Sequence, residues 1–93
     1  MPKIAIYKFL VFYLYSYDLN ERLHLHISKV KSRKGLDAKI FLDTGEIFER
    51  GDLTATELSL CKKLINENQN EITEIINKFA KGDKIKPISL KLK

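Results

Sequence analysis

A chain of 93 residues has room for one small domain with a single core, and its 44% hydrophobic and 31% charged residues exclude wholesale disorder. The 17 basic against 12 acidic residues give a formal net charge of +5, which favours either anionic partners, nucleic acid first among them, or a well-solvated surface. The single cysteine excludes an intrachain disulfide and suits a reducing cytosol, and the apolar helical pattern around Cys61 predicts a core position for it.

The N-terminal apolar stretch predicts a long β-strand from residue 4 to residue 17. β-Branched and aromatic side chains fill both of its alternating rows, which requires cover on both faces or a bend that divides the strand between two surfaces. The stretch is shorter than the ~20 residues of a membrane-spanning helix. Lys8 also interrupts it, so we expect no membrane segment.

Three further strands are predicted after a turn. Residues 23–29 alternate, so that Leu25 and Ile27 lie on one face of a strand while His24 and His26 share the other. An alternating run at 38–42 leads into the tight turn DTGE at 43–46 and a short returning strand. Residues 4–50 therefore predict a four-stranded antiparallel meander.

The second half of the chain changes to helical periodicity. Thr54 and Glu57 fit a capping box, and apolar residues then recur three and four positions apart as far as Ala80, before a stop at Gly82. This pattern predicts two helices, or one bent helix, packed on one face of the sheet in an α+β fold. We expect residues 1–82 to form a single domain, with 83–93 as either an edge strand or a basic tail. The opposite sheet face is then the place for function.

His24 and His26 are the leading site residues. Residues two apart on a strand are separated by roughly 6.5–7 Å, so both imidazoles can act on one small group. As an enzyme, the protein would use them as acid and base in metal-independent cleavage of RNA, with Arg22 or Lys39 stabilising the charged transition state. The alternative is a polar strand face that contacts a partner without turnover.

The sequence predicts neither a metal nor an organic cofactor. A zinc site needs at least three protein ligands, and nothing in the spacing selects a carboxylate to complete the histidine pair. Four scattered glycines do not form a loop that cradles a phosphate chain. For nucleic acid, the predicted contacts are the basic residues in and before one turn, namely Lys29, Lys31, Arg33 and Lys34.

The order of these features resembles a known family. An aromatic strand ending FYLYSYD is followed by HLHIS, then by AKIFLDTGEI, then by GDLTATELSLCKKLINENQNEI. This order is similar to that of the small bacterial domain-of-unknown-function family numbered four-one-six-zero, over roughly residues 9–80. The resemblance implies a short α+β protein, often encoded beside a small partner in a toxin–antitoxin-like module. It places the family's H-x-H element at His24 and His26 and its third-strand lysine at Lys39. Where many members carry prolines before the pair, this chain has Glu21-Arg22-Leu23.

We therefore expect a cytosolic bacterial α+β domain that is one component of a two-protein, toxin–antitoxin-like module. Three versions of its role stay open. It is a ribonuclease toxin acting through the histidine face, a binding module that docks a small partner protein or RNA there without turnover, or a structural subunit of a homo-oligomer. A membrane partner is expected in none of them.

Overall fold

The computed structural model describes residues 3–14, 23–29 and 37–92. Within them lie six strands and two helices, in the order β1 (Lys3–Tyr7), β2 (Leu10–Tyr13), β3 (His24–Lys29), β4 (Ala38–Phe41), β5 (Ile47–Glu49), α1 (Ala55–Glu67), α2 (Gln69–Ala80) and β6 (Ile88–Ser89). The predicted α+β class is confirmed, because the strands precede the helices and a C-terminal strand returns to the sheet. No helix among the described residues is both long enough and apolar enough to span a membrane.

All six strands belong to one sheet, in the spatial order β5-β4-β3-β2-β1-β6. β1 to β5 form an antiparallel meander, and β6 pairs in parallel with the outer edge of β1. A parallel neighbour requires a long crossover, which the two helices supply. Of the two alternatives predicted for the C-terminal residues, the edge strand is the one observed.

The predicted long first strand is two strands joined by a tight turn. Lys8 and Phe9 form this turn, in which Lys8 has a positive φ of 51°, and the chain reverses so that Tyr7 lies opposite Leu10. The meander therefore has five strands where the sequence predicted four. The turn carries no glycine, proline or asparagine, the residues by which a reversal is recognised in a sequence.

The helices cover one face of the sheet and enclose the core. Strand side chains that point into this layer, such as Leu25, Ile27 and Ile40, are fully buried, and each contributes about 1.5–3 kcal/mol relative to an exposed position. The buried helical residues are Leu58, Cys61, Leu64 and Ile65 of α1 and Ile72, Ile75 and Ile76 of α2. Their helical spacing explains why one face of each helix is apolar, and the core position predicted for Cys61 is confirmed.

The predicted capping box opens α1. The Thr54 Oγ1 atom accepts a hydrogen bond from the Glu57 N–H at 3.2 Å, and the Thr54 N–H donates to Glu57 Oε1 at 2.8 Å. Two backbone N–H groups that lack helical partners are thereby satisfied. Lys29, the last residue of β3, forms an ion pair with the same carboxylate, which fixes the start of α1 to the sheet.

Asn68 holds the C-terminal segment against the junction of α1 and α2. Its buried side-chain amide donates hydrogen bonds to the carbonyl oxygens of Leu64 at 2.8 Å and Lys91 at 2.9 Å. Its Oδ1 atom accepts the Lys91 N–H at 3.2 Å. Next to this clamp, Leu90 is buried and donates its N–H to the carbonyl oxygen of Ile6 at 3.0 Å. The chain after β6 is thus fixed by both helices and sheet.

Candidate functional site

His24 and His26 lie side by side on the sheet face away from the helices. They alternate along β3 with Leu25 and Ile27, whose side chains belong to the core between sheet and helices. The centroids of the two imidazole rings are 5.0 Å apart. The rings therefore share one face, as the period-two pattern predicts.

Aromatic rings from three other strands, β2, β4 and β5, lie around the histidine pair. Tyr13 lies opposite His26 in the β2–β3 register and stacks on it, with 5.9 Å between ring centroids and 13° between ring planes. Phe41 and Phe48 meet His24 edge-on, at 6.1 Å and 5.2 Å between centroids, and stack on each other at 4.3 Å. These five side chains, Tyr13, His24, His26, Phe41 and Phe48, form what we call the aromatic–histidine face.

Exposure differs sharply across the aromatic–histidine face. His24 and His26 are only 9% and 4% exposed, whereas Phe48 is 41% exposed. The sheet order explains part of the difference, because β3 has neighbours on both sides and β5 stands at the edge. Phe48 is therefore the member of this face that an incoming molecule meets first.

Two carboxylates, those of Asp37 and Glu49, lie with Lys39 beside this face. Lys39, which was predicted to stabilise the charged transition state, lies opposite His26 in the β3–β4 register. It forms an ion pair with Glu49, with 3.3 Å between Nζ and Oε1. The Tyr13 hydroxyl donates a hydrogen bond to the Asp37 carboxylate. The surroundings of the histidines thus include two negative groups as well as one positive group.

Lys29, a predicted nucleic-acid contact that the structure describes, does not lie on the histidine face. Lys29 lies opposite the core residue Leu10 and pairs with Glu57, with 2.7 Å between Nζ and Oε1, so it is engaged on the helix side of the sheet. Four predicted site residues, Arg22, Lys31, Arg33 and Lys34, lie outside the described residues.

For metal binding, residues 3–14, 23–29 and 37–92 contain no group of three or more histidine, cysteine or acidic side chains placed to hold an ion. Two imidazoles by themselves fall short of the three protein ligands that a zinc centre uses. The two imidazoles can therefore take part in acid–base chemistry or in contacts with a binding partner.

Phe41 and Phe48 are site residues that the sequence interpretation left out. They flank the DTGE turn, and Phe41 occupies the same alternating row as Lys39. A hairpin register carried across from β3 to β4 aligns Phe41 with His24. That alignment is the signal by which Phe41 could have been assigned to the histidine face.

Comparison with curated proteins and with solved structures gives no match. A family model, described as Domain of unknown function (DUF4160), matches residues 10–75, which is more than two thirds of the chain. The matched region runs from the start of β2 into α2 and so includes the whole aromatic–histidine face. The chain therefore belongs to the DUF4160 family.

Proposed function

We propose that this protein is a cytosolic component of a bacterial two-protein, toxin–antitoxin-like module, and that it docks its small partner protein on the aromatic–histidine face. One observation carries this proposal. Phe48 is 41% exposed while it stacks on Phe41 and contacts His24 edge-on. An exposed aromatic side chain anchored in a packed aromatic cluster loses little conformational freedom on binding and is a typical interface hot spot.

The charges beside this face favour a protein partner over RNA. Phosphate groups would meet the carboxylates of Asp37 and Glu49, and Lys39 is already paired with Glu49. The centre of a protein interface is depleted in charged residues and enriched in aromatic ones, which matches the composition of this face. The proposed partner therefore presents an apolar pocket to Phe48 and polar groups to its rim.

A pair of matched phenylalanine variants tests the docking proposal. Phe48 and Phe9 are exposed to 41% and 39%, but Phe9 lies in the turn between β1 and β2. We expect Phe48→Ser to weaken binding of the purified product of the adjacent gene roughly 10- to 100-fold in calorimetric titration, as for a hot-spot residue. Phe9→Ser is expected to bind like wild type.

Three results count against docking. One is the absence of binding by the wild-type protein, and another is an equal loss with both variants. The third is light scattering that shows a wild-type dimer broken by Phe48→Ser, because the face would then be occupied by a second copy of this chain.

A second candidate function is metal-independent cleavage of RNA. The 5.0 Å between the His24 and His26 ring centroids favours it, because an acid and a base must reach the same phosphodiester. The low exposure of both rings counts against it, since a catalytic imidazole must touch its substrate.

The ribonuclease candidate is tested with total RNA, with and without chelator. Activity that resists chelator and disappears in a folded His24→Gln, His26→Gln double variant supports the enzyme. RNA that remains equally intact with wild type and double variant ends this candidate. The Phe48→Ser variant separates the two functions, because it weakens docking while leaving both imidazoles in place.

A further inference from the structure

The entire net charge of the protein resides in its last sixteen residues. Residues 78–93 contain six lysines and a single acid, Asp83, for a net charge of +5. Residues 1–77 contain eleven basic and eleven acidic residues, which cancel. The excess of basic over acidic residues therefore lies in the C-terminal segment, which runs from the end of α2 to β6, at the sheet edge opposite to β5.

This segment is ordered against the rest of the protein. Asn68 binds both the N–H and the carbonyl oxygen of Lys91, and β6 pairs with β1. Ile85, Ile88 and Leu90 pack on the hydrophobic core. These three apolar side chains thus face the core, while the lysines at 81, 84, 86 and 91 are exposed.

Two lysines at the centre of the segment, Lys84 and Lys86, are not engaged in ion pairs with other described residues. Lys78 pairs with Glu74 at 3.7 Å, but Lys84 and Lys86 form no ion pair in the part of the chain that the structure describes. These three lysines line one groove of about 300 Å³ between α2 and residues 84–88. Glu71 and Glu74 of α2 line the helical wall of that groove, and their carboxylates repel an anionic chain. We therefore expect such a chain to lie along the opposite wall and the residues that follow it, 84–91.

We propose that residues 81–91 bind the phosphate backbone of a nucleic acid, without selecting a base sequence. Exposed lysines supply phosphate contacts, whose energy comes mainly from counterion release. Residues 81–93 contain no aromatic side chain for base stacking and no arginine for bidentate base contacts, so the interaction carries no sequence information. An acidic protein partner is disfavoured, because lysine is depleted at the centre of protein interfaces, and Ile85, Ile88 and Leu90 already pack on the hydrophobic core.

This nucleic-acid site does not depend on the proposed docking. It lies across the sheet from Phe48, since β6 and β5 are the two opposite edges. A protein with the Phe48→Ser substitution is therefore expected to bind nucleic acid like wild type, whatever the outcome of the partner-binding experiment.

A charge-matched pair of double variants tests the proposal by fluorescence anisotropy with a labelled single-stranded RNA of random sequence. We expect wild-type binding to weaken with salt at a slope of about −2 to −3 in log K against log salt concentration, equivalent to three or four phosphate contacts. Lys84→Glu, Lys86→Glu should lose at least tenfold in affinity at low salt, with a slope shallower by roughly 1.4, because two contacts at about 0.7 each are removed.

The control double variant is Lys62→Glu, Lys63→Glu, which makes the same charge change on exposed positions of α1. We expect it to retain most of the wild-type affinity. Equal losses in both double variants would mean that only total charge matters and would overturn the proposal. A salt-independent affinity would also overturn it, as would polyglutamate competing as well as RNA at equal charge concentration, which would identify an acidic protein partner instead.

Discussion

Lys29 of β3 and Glu57 of α1 form an ion pair with 2.7 Å between Nζ and Oε1, which joins the sheet to the helical layer. The same carboxylate accepts the Thr54 N–H, so one side chain both caps a helix and binds a strand. The hydrogen bond from Lys29, followed by that from Thr54, lowers the pKa of Glu57 below its ordinary value of 4.5. Glu57 is thus a predicted source of acid sensitivity.

We expect Glu57→Gln to lower the free energy of unfolding at pH 7 by about 0.5–1 kcal/mol, typical of a partly exposed ion pair. A carboxylate whose pKa is lower in the folded state stabilises the protein above its unfolded pKa, and this contribution is lost as pH falls through the folded pKa. The difference between wild type and variant should therefore shrink as the pH falls below 4.5. Urea denaturation of both proteins at pH 7 and pH 3 measures this difference in unfolding free energy.

Glu74→Gln is the matched control, because Glu74 pairs with Lys78 within α2 and both side chains are more than half exposed. We expect a change of only about 0.3 kcal/mol at pH 7 for this helical pair. A destabilisation by Glu57→Gln that is the same at pH 7 and pH 3 would contradict the assigned role of the ion pair.

Asn68 is expected to control the order of the C-terminal segment. Asn68→Ala removes three hydrogen bonds and leaves polar groups of Leu64 and Lys91 without this partner, which should cost about 1–3 kcal/mol of unfolding free energy. We also expect faster exchange of the Lys91 amide hydrogen and faster tryptic cleavage after Lys84, which precedes Ile85. Asn66→Ala, at an exposed position in the last turn of α1, is the control. Unchanged exchange at Lys91 in Asn68→Ala would exclude the clamp.

The sequence predicted those parts of the fold that depend on local periodicity. Alternation of residue types identified β3 and β4, helical spacing identified α1 and α2, and the Thr54–Glu57 capping box was assigned correctly. The hairpin between β1 and β2 was missed because its turn residue Lys8 has a side chain that seldom adopts positive φ. Packing of the two strands, rather than turn preference, sets that reversal.

The candidate site was predictable only in part. Alternation on β3 put His24 and His26 on one face, but their burial depends on Tyr13, Phe41 and Phe48, which other strands contribute. Apart from the β3–β4 register, which aligns Phe41 with His24, the neighbours and the register of the strands are a tertiary property that local patterns do not encode. The clamp between Asn68 and Lys91 was unpredictable for the same reason, since 23 residues separate its members.

Cys61 is expected to be chemically inert in the folded protein. Its side chain is fully buried, and desolvation, with a smaller effect from the Glu57 charge, raises the pKa of the thiol to about 12. Because the thiolate is the reactive form, a disulfide-exchange reagent at pH 8 should label Cys61 only as the protein unfolds. Ser59→Cys, which adds an exposed thiol to the same helix, should be labelled at once. Labelling of native Cys61 as fast as that control would contradict this assignment.

Lys8 is expected to be a position where the turn is strained. Its φ of 51° lies in the left-handed region, which costs a residue with a branched or bulky side chain roughly 1–2 kcal/mol. Its ammonium also lies 5.5 Å from the centroid of the Tyr7 ring, an exposed cation–π contact worth about 0.5 kcal/mol that offsets part of this strain. We therefore expect Lys8→Asn, which tolerates this backbone, to raise the unfolding free energy by about 0.5 kcal/mol, and Lys8→Val to lower it by about 1–2 kcal/mol. Urea denaturation of the two variants at one pH measures both changes. A valine variant as stable as the asparagine variant would mean that the backbone at Lys8 is not held in the left-handed region.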